Sequence, residues 1–474
     1  MVTPAGRRWW VLSALAFSLF MICLDNTVVN VALPAIQQDL HIGLSQLEWT
    51  INGYTLTFAV LLLLGGKLAD FFGRRRIFLL GMANFVVASL VCGLATSGAM
   101  LIGARAFQGA GSALMMPATL SIITVTFPRE ERGRAIGIWA AVSVSALALG
   151  PLIGGLLIQH GSWKWIFFVN VPIGIVGFAL GRVVIPESRD ASAEQRLDLA
   201  GLAVSAVALF LLTFGLIEAN RFGWGSPTIA GCFLGAAAAF VFFVVLEHRQ
   251  RAPMLDLGLF RNSTFAGANL VELLIMVVMF GVFFFTSVYL QIVVGWSPVQ
   301  TGAMFLPLTC IMILEAPIAG RVSDRIGSRW LMSAGMLILG IAVLLLSRVG
   351  TPPRFSSLLL AFVVGGIGIG LTLTPAMAAV LGSVPEDQSG VAAGVLDTFR
   401  QVGGALGVAV MGAIVASDLV GTPGSPTFAA TFVRGYRNGL HVVSLAAFAG
   451  SVAAATLVRR YRRLDAPDLA EANA

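Results

Sequence analysis

From Trp10 to Val31 the chain is a run of apolar and small residues broken by one ionisable side chain, Asp25. A helix of about 20 such residues crosses the hydrocarbon core of a bilayer. The run is long for a secretory signal and lacks a convincing cleavage site, so we read it as a retained helix. Comparable runs follow at about 47–68, 77–96, 99–126, 134–158, 165–185, 198–217, 227–247, 265–290, 301–319, 330–348, 356–381, 392–417 and 438–458. Charged residues make up 11% of the chain, against roughly 25% in a soluble domain. The expected fold is an all-α membrane protein with fourteen transmembrane helices.

The basic residues orient these helices, because cytoplasmic connections hold the excess of Lys and Arg. With the N-terminus inside, 22 of the 30 Lys and Arg fall on inner connections and tails. Six fall outside, namely Lys164, Arg221, Arg348, Arg354, Arg434 and Arg437, and Arg105 and Arg400 lie within helices. Both termini are therefore expected in the cytoplasm. The net charge of +7 follows from topology and implies no nucleic-acid partner.

One inner connection is repeated. Gly66-Lys67-Leu68-Ala69-Asp70-Phe71-Phe72-Gly73-Arg74-Arg75-Arg76, between helices 2 and 3, has a weaker copy at Gly320-Arg321-Val322-Ser323-Asp324-Arg325-Ile326-Gly327-Ser328-Arg329, between helices 10 and 11. Such a recurrence marks an internally repeated transporter. Six helices per half would place the copy between helices 8 and 9. The displacement by two means that helices 7 and 8 are inserted. The expected domains are a six-helix bundle over 1–190, two inserted helices with their connections over 191–262, a second six-helix bundle over 263–460 and a cytoplasmic tail over 461–474.

Several chemistries find no support. The four cysteines, Cys23, Cys92, Cys232 and Cys310, fall within apolar runs, and neither they nor the four scattered histidines have metal-ligand spacing. No Gly-x-x-x-x-Gly-Lys-Ser/Thr phosphate loop occurs. No nucleophile–base pair supports an intramembrane enzyme. No cofactor, metal or obligatory protein partner is expected.

Charges at membrane depth carry the functional signal, since each costs about 2.5–3.5 kcal/mol on insertion scales. Four acids lie within the apolar runs: Asp25, Glu272, Glu315 and Asp397. Burial raises a carboxyl pKa and a nearby arginine lowers it. An acid that gains or loses an arginine, or a cationic substrate, can therefore bind and release a proton. Asp25 lies about nine residues, or roughly 13 Å, from the outer end of helix 1, and Arg105 about six residues, or roughly 9 Å, from that of helix 4. The two are expected to meet, as a proton site or as a static ion pair. Asp397 and Arg400 share a helix face and can satisfy one another. Glu272 and Glu315 fall in the cytoplasmic third, where they can line an inner cavity and attract cations. Trp49, Tyr54 and Met116 are candidate walls of an amphipathic pocket, since aromatic and Met side chains suit variable lipophilic ligands.

These residues carry a resemblance. Leu24-Asp25-Asn26-Thr27-Val28-Val29-Asn30-Val31-Ala32-Leu33-Pro34, Gly66 to Arg76, Arg105-Ala106-Phe107-Gln108-Gly109, Gly150-Pro151-Leu152-Ile153-Gly154-Gly155, Trp163 to Gly174 and Arg400 to Gly407 together resemble motifs of the major facilitator superfamily, specifically its fourteen-helix drug:proton antiporter branch. The chain departs from those motifs at Phe71, where a basic residue is usual, and at Ala146, where glycine is usual. The resemblance implies two bundles that rock about a central cavity in the cytoplasmic membrane. Asp25, Arg105 and Asp397 would couple protons. Asp70, Gly73 and Arg74, with Asp324 in the copy, would gate the inner side, Asp70 pairing with arginines across the halves. Gly150, Pro151, Gly154 and Gly155 would seal the outer side through close packing and a proline kink.

The expected function is proton-coupled export of lipophilic, often cationic drugs or antibiotics, driven by the proton-motive force. One alternative is a dedicated exporter of a single endogenous metabolite, such as an antibiotic or siderophore. Another, of a different class, is a non-transporting membrane receptor or scaffold.

Overall fold

The computed structural model describes residues 4–189, 198–250, 257–348, 350, 355–384, 389–421 and 425–459. No strand occurs among them. The first half holds α1 (Pro4–Leu40), α2 (Leu44–Phe72), α3 (Arg74–Gly93), α4 (Gly98–Thr126), α5 (Arg129–His160) and α6 (Trp165–Val184), the last with a turn at Val169. Then come α7 (Leu199–Phe222) and α8 (Pro227–Arg249). The second half holds α9 (Ser263–Val293), whose last turn is a π-helix, α10 (Pro298–Ile326), α11 (Ser328–Ser347), α12 (Phe355–Gly382), α13 (Ser389–Asp418) and α14 (Pro426–Leu457).

Among the described residues, twelve helices are long and apolar enough to cross a membrane. The two others are α2 and α5. In α2, the stretches Leu44–Leu62 and Leu64–Phe72 meet at 51°. In α5, the apolar stretch so counted is Leu149–His160, after a charged first turn.

Helices outrun the apolar runs that announce them, because lipid contact defines the run whereas capping and packing define the helix. The last helix, expected at about 438, starts at Pro426 instead. Its cap, Ser425, accepts from the backbone N–H of Phe428 at 3.1 Å. Arg434 and Arg437 interrupt the hydropathy and leave the helix intact.

The repeated connection is built twice in the same way. Gly73 ends α2 and begins α3 with φ +110°, and Gly327 ends α10 and begins α11 with φ +87°. Each glycine N–H closes the helix before it, on Ala69 O at 3.1 Å and Ser323 O at 2.8 Å. A side chain at this φ is strained, which explains the glycine in both copies.

We call the end of the molecule carrying Arg74–Arg76 the basic face and the opposite end the far face. One apolar core fills the first half toward the basic face, from Val11 and Leu15 to Phe78, Phe85 and Ile123. A second core fills the second half and continues at the far face into Val28, Ile36, Ile51, Leu101 and Phe167 of the first half. Apolar packing thus joins the halves at the far face and divides toward the basic face. The pair α7–α8 lies at the periphery. Phe210 and Phe214 of α7 pack on Trp49 of α2, and much of α8, including Leu234 and Phe240, remains exposed.

Candidate functional site

The first half encloses a polar cluster in an otherwise apolar interior. Asp25 of α1 and Arg105 of α4 are fully buried and form an ion pair. The Asp25 carboxylate also accepts from Gln108 Nε2 at 2.9 Å and Asn170 Nδ2 at 3.1 Å. Arg105 donates from Nη1 to Gln108 Oε1 at 2.7 Å and from Nε to the Thr50 carbonyl at 3.1 Å. Its guanidinium lies 4.2 Å from the ring centre of Tyr54, whose hydroxyl is 2.8 Å from Ser112 Oγ. Asn170 also donates to Ser89 Oγ, which donates to the Phe167 carbonyl. Helices α4 and α6 thereby reach the Asp25 carboxylate of α1 directly, and α2 and α3 support them through Arg105 and Asn170. Most helical backbone groups are spent within their own helix, so a buried charge is compensated chiefly by side chains from several helices, with the Thr50 carbonyl as the backbone contribution to Arg105. In this arrangement Asp25 accepts every bond it makes. A proton on Oδ1 would displace Gln108 or Asn170, and one on Oδ2 would weaken the pair with Arg105, so the network would have to rearrange.

The second half holds a counterpart of different design. Arg400 of α13 donates to Glu272 of α9 through Nε at 2.9 Å and Nη2 at 3.1 Å, a two-pronged pair. Its contact with Asp397 is longer, 3.4 Å. The expected partnership of Asp397 with Arg400 is thus secondary. Glu272, expected on an inner cavity wall, is fully buried instead, and the two-pronged guanidinium pair compensates its charge there. The helix that carries Asp25, α1, packs beside α9, which carries Glu272, so the two charged clusters lie on neighbouring helices of the two halves.

The remaining candidates are placed as follows. Glu315 on α10 is half-buried, with Oε2 against Gly370 of α12. Met116 is partly buried and packs on the first core. Tyr54 is fully buried beneath Arg105 and lines no open cavity in this conformation. Trp49 points away from the midline: its Nε1 donates to Glu218 of α7 at 3.3 Å. Asp70 accepts from Arg74 at 3.0 and 2.9 Å, inside its own motif rather than across the halves. Arg75 and Arg76 pair with Glu187 after α6, and Gly73 sits against the same carboxylate. Those contacts remain within the first half, where the two cores have divided. The side chain of Asp324 lies outside the described residues. Gly150 and Gly154 lie against Thr27 and Val28 of α1. At Gly155 a Cβ would come within 2.6 Å of Pro298 O and 2.8 Å of Val299 Cα, so α5 meets α10 of the other half there at the far face. Pro151 lies on the same seam, against Gly302.

Sequence reasoning missed several partners. Gln108 and Asn170 stand inside motifs quoted above without a role. Thr50 contributes only its carbonyl, which no side-chain pattern announces. Glu48 of α2 and Glu218 of α7 sit at the margins of apolar runs and read as flanking charges, yet they are only 2% and 6% exposed. Among the described residues no cluster of His, Cys, Asp and Glu could hold a metal ion.

Residues 15–408 and 312–471 match the family model described as Major Facilitator Superfamily. The chain is 39% identical over 419 residues to the tetracenomycin C resistance and export protein of Streptomyces glaucescens, covering 88% of this chain and 78% of that one. It is 37% identical over 415 residues to the multidrug resistance protein Stp of Mycobacterium tuberculosis, covering 87% and 76%. It is 37% identical over 432 residues to the cephamycin export protein CmcT of Amycolatopsis lactamdurans, covering 90% and 88%. Among solved structures, a bacterial homolog of the human lysosomal transporter Spinster, described as inward-facing and unoccupied, aligns with a TM-score of 0.67 at 19% identity, covering 96% of this chain and 98% of that one. A peptide transporter POT in complex with sulfate aligns with a TM-score of 0.68 at 15% identity, covering 94% and 93%.

Proposed function

The chain belongs to the Major Facilitator Superfamily, and from that premise we propose that it exports lipophilic, often cationic drugs or antibiotics across the cytoplasmic membrane in exchange for protons. The observation that carries this reading is its similarity, over most of its length, to proteins named for antibiotic resistance or export. We count α2 and α5 as spans beside the twelve, giving two six-helix bundles with α7–α8 inserted, and place both termini and the basic face in the cytoplasm.

The cycle we propose uses the residues already described. With the halves joined at the far face, substrate enters between them from the basic face. Glu315, partly exposed on α10, attracts its positive charge. Asp25 exchanges the Arg105 network for a proton taken from outside, and the Glu272–Arg400–Asp397 cluster across the midline senses that change of charge. The seam between Gly155 and Pro298 parts as the halves rock, and the cargo leaves outward. Asp70, Gly73 and Arg74 act as the inner gate. The energy source is the proton-motive force, without a cofactor.

A second reading, export of one dedicated compound, is favoured by relatives named for tetracenomycin C and for cephamycin. Growth inhibition of a pump-deficient host by unrelated antibiotics and dyes tests both. Protection against many supports the broad exporter, and protection against one supports the dedicated one. Protection against none, with no gradient-driven flux in liposomes, would leave a receptor or scaffold.

A further inference from the structure

Glu48 stands where three elements meet at the far face. It lies in the second turn of α2 and is 2% exposed. Its Oε2 is buried and has no hydrogen-bond partner among the described residues. Its carboxyl group packs on bare Gly412 of α13, in the other half, with no room for a Cβ between them. The adjoining residue, Ala413, accepts from Asn220 Nδ2 of α7 at 2.5 Å. Glu218, two residues earlier on α7 and also buried, accepts from Ser45 Oγ at 2.6 Å and Trp49 Nε1 at 3.3 Å. Its carboxylate is near enough to act on Glu48. Glu48 itself sits on the seam that must open for outward release, where it meets Gly412 of the other half.

The charged groups around Glu48 do not compensate it. From α7 come Glu218 and Arg221, and the arginine lies 3.6 Å from Glu218 with its side chain 75% exposed. On α13 no ionisable residue stands between Arg400 and Asp418, and Asp418 accepts from Asn438. From α4 comes Arg105, committed to Asp25, Gln108 and the Thr50 carbonyl. A carboxylate enclosed without a hydrogen-bond donor or cation among the described residues, beside a second carboxylate, is costly, and a proton removes the cost.

We propose that Glu48 is a second proton-binding group, separate from Asp25, whose protonation latches the far-face seam shut. When α13 moves away from Gly412 contact, the carboxyl meets water and releases its proton. When the seam closes, one proton from far-side water adds to a carboxylate oxygen and yields the neutral acid that packs on Gly412. Closure after export would therefore take up a proton from the side where protons are abundant. This inference rests on the alternating-access reading above.

The test uses spin labels at Gln46→Cys of α2 and Ser417→Cys of α13, both exposed at the far face. The full chain carries Ala at its four native cysteines and sits in lipid nanodiscs. The seam distance is followed across about pH 5–8, the range that brackets perturbed carboxyl groups. We expect the closed population to grow as pH falls, with a one-proton slope. Glu48→Gln should hold the closed distance at every pH, and Glu218→Gln should move the midpoint to lower pH. Infrared difference spectra should show a protonated-carboxyl band in the closed state that Glu48→Gln removes. A pH response unchanged in Glu48→Gln, or absence of that band, would overturn the latch and leave alternating access standing. A seam that opens neither with pH nor with any substrate would overturn both.

Discussion

Arg105 holds the first half's polar cluster together, and its replacements separate charge from geometry. A lysine supplies one ammonium where the guanidinium serves Asp25, Gln108 and the Thr50 carbonyl and lies over Tyr54. Arg105→Lys should therefore lower gradient-driven efflux from vesicles at least about tenfold, since the two side chains are not interchangeable at such a site. Arg105→Ala leaves the Asp25 carboxylate uncompensated, at a cost of about 3–5 kcal/mol. Adding Asp25→Asn removes that charge. The double variant should melt above Arg105→Ala in a detergent thermal-shift assay while still failing to couple flux to a proton gradient. Restored coupling would show that Asp25 is structural. At this scale the sequence exposed Asp25 and Arg105, because a charge in lipid is too costly to be incidental. It hid Asn170 and Gln108, because neutral polar residues are common in helices and their value depends on which carboxylate they reach.

Helices meet through residues that carry little chemistry of their own. At Gly155 the α5 backbone reaches Pro298 and Val299 of α10, and lipid offers no hydrophobic drive to recover the contact by other means. Gly155→Leu should hold the far-face seam apart. The expected result is higher reactivity of a cysteine at Ser297 toward an impermeant thiol reagent, with efflux reduced. At the basic face Gly73 adopts φ +110°, and a Cβ there would come within 2.5 Å of Glu187 Oε1. Gly73→Ala should cost about 1–3 kcal/mol in backbone strain and loosen the α2–α3 connection, read as faster proteolysis there. The repeat in the sequence already announced both copies of this turn. What it could not convey was that Asp70 and Arg74 bond each other while Glu187 collects the neighbouring arginines. Those pairings depend on how the end of α6 is folded back.

For the molecule as a whole, the proposed cycle ties cargo to the membrane's energy. One elementary charge moving through 100 mV supplies about 2.3 kcal/mol, enough for roughly a fifty-fold gradient of cargo per coupled charge. Ionophores that collapse both the pH difference and the potential should abolish uphill flux in proteoliposomes. Uphill flux that survives would remove protons from the mechanism. The described conformation also has a direction. Apolar packing joins the halves at the far face and divides toward the basic face, so a bulky reagent should reach Glu315→Cys on α10 from the basic side before the halves rock.

The amino-acid order alone determined that this chain is helical and lives in lipid, because twenty apolar residues in a row have one inexpensive way to satisfy their backbone. It also determined that the chain is internally repeated, and that Asp25 and Arg105 are not ornamental. Which acid each arginine serves was decided only by the tertiary structure. Arg400 makes its shorter, two-pronged pair not with its neighbour Asp397 but with Glu272, 128 residues away, and the buried Glu48 lies against Gly412 of the other half. A side chain's charge is written locally, but the solvent it loses and the partner it gains are set by helices that arrive from elsewhere in the chain.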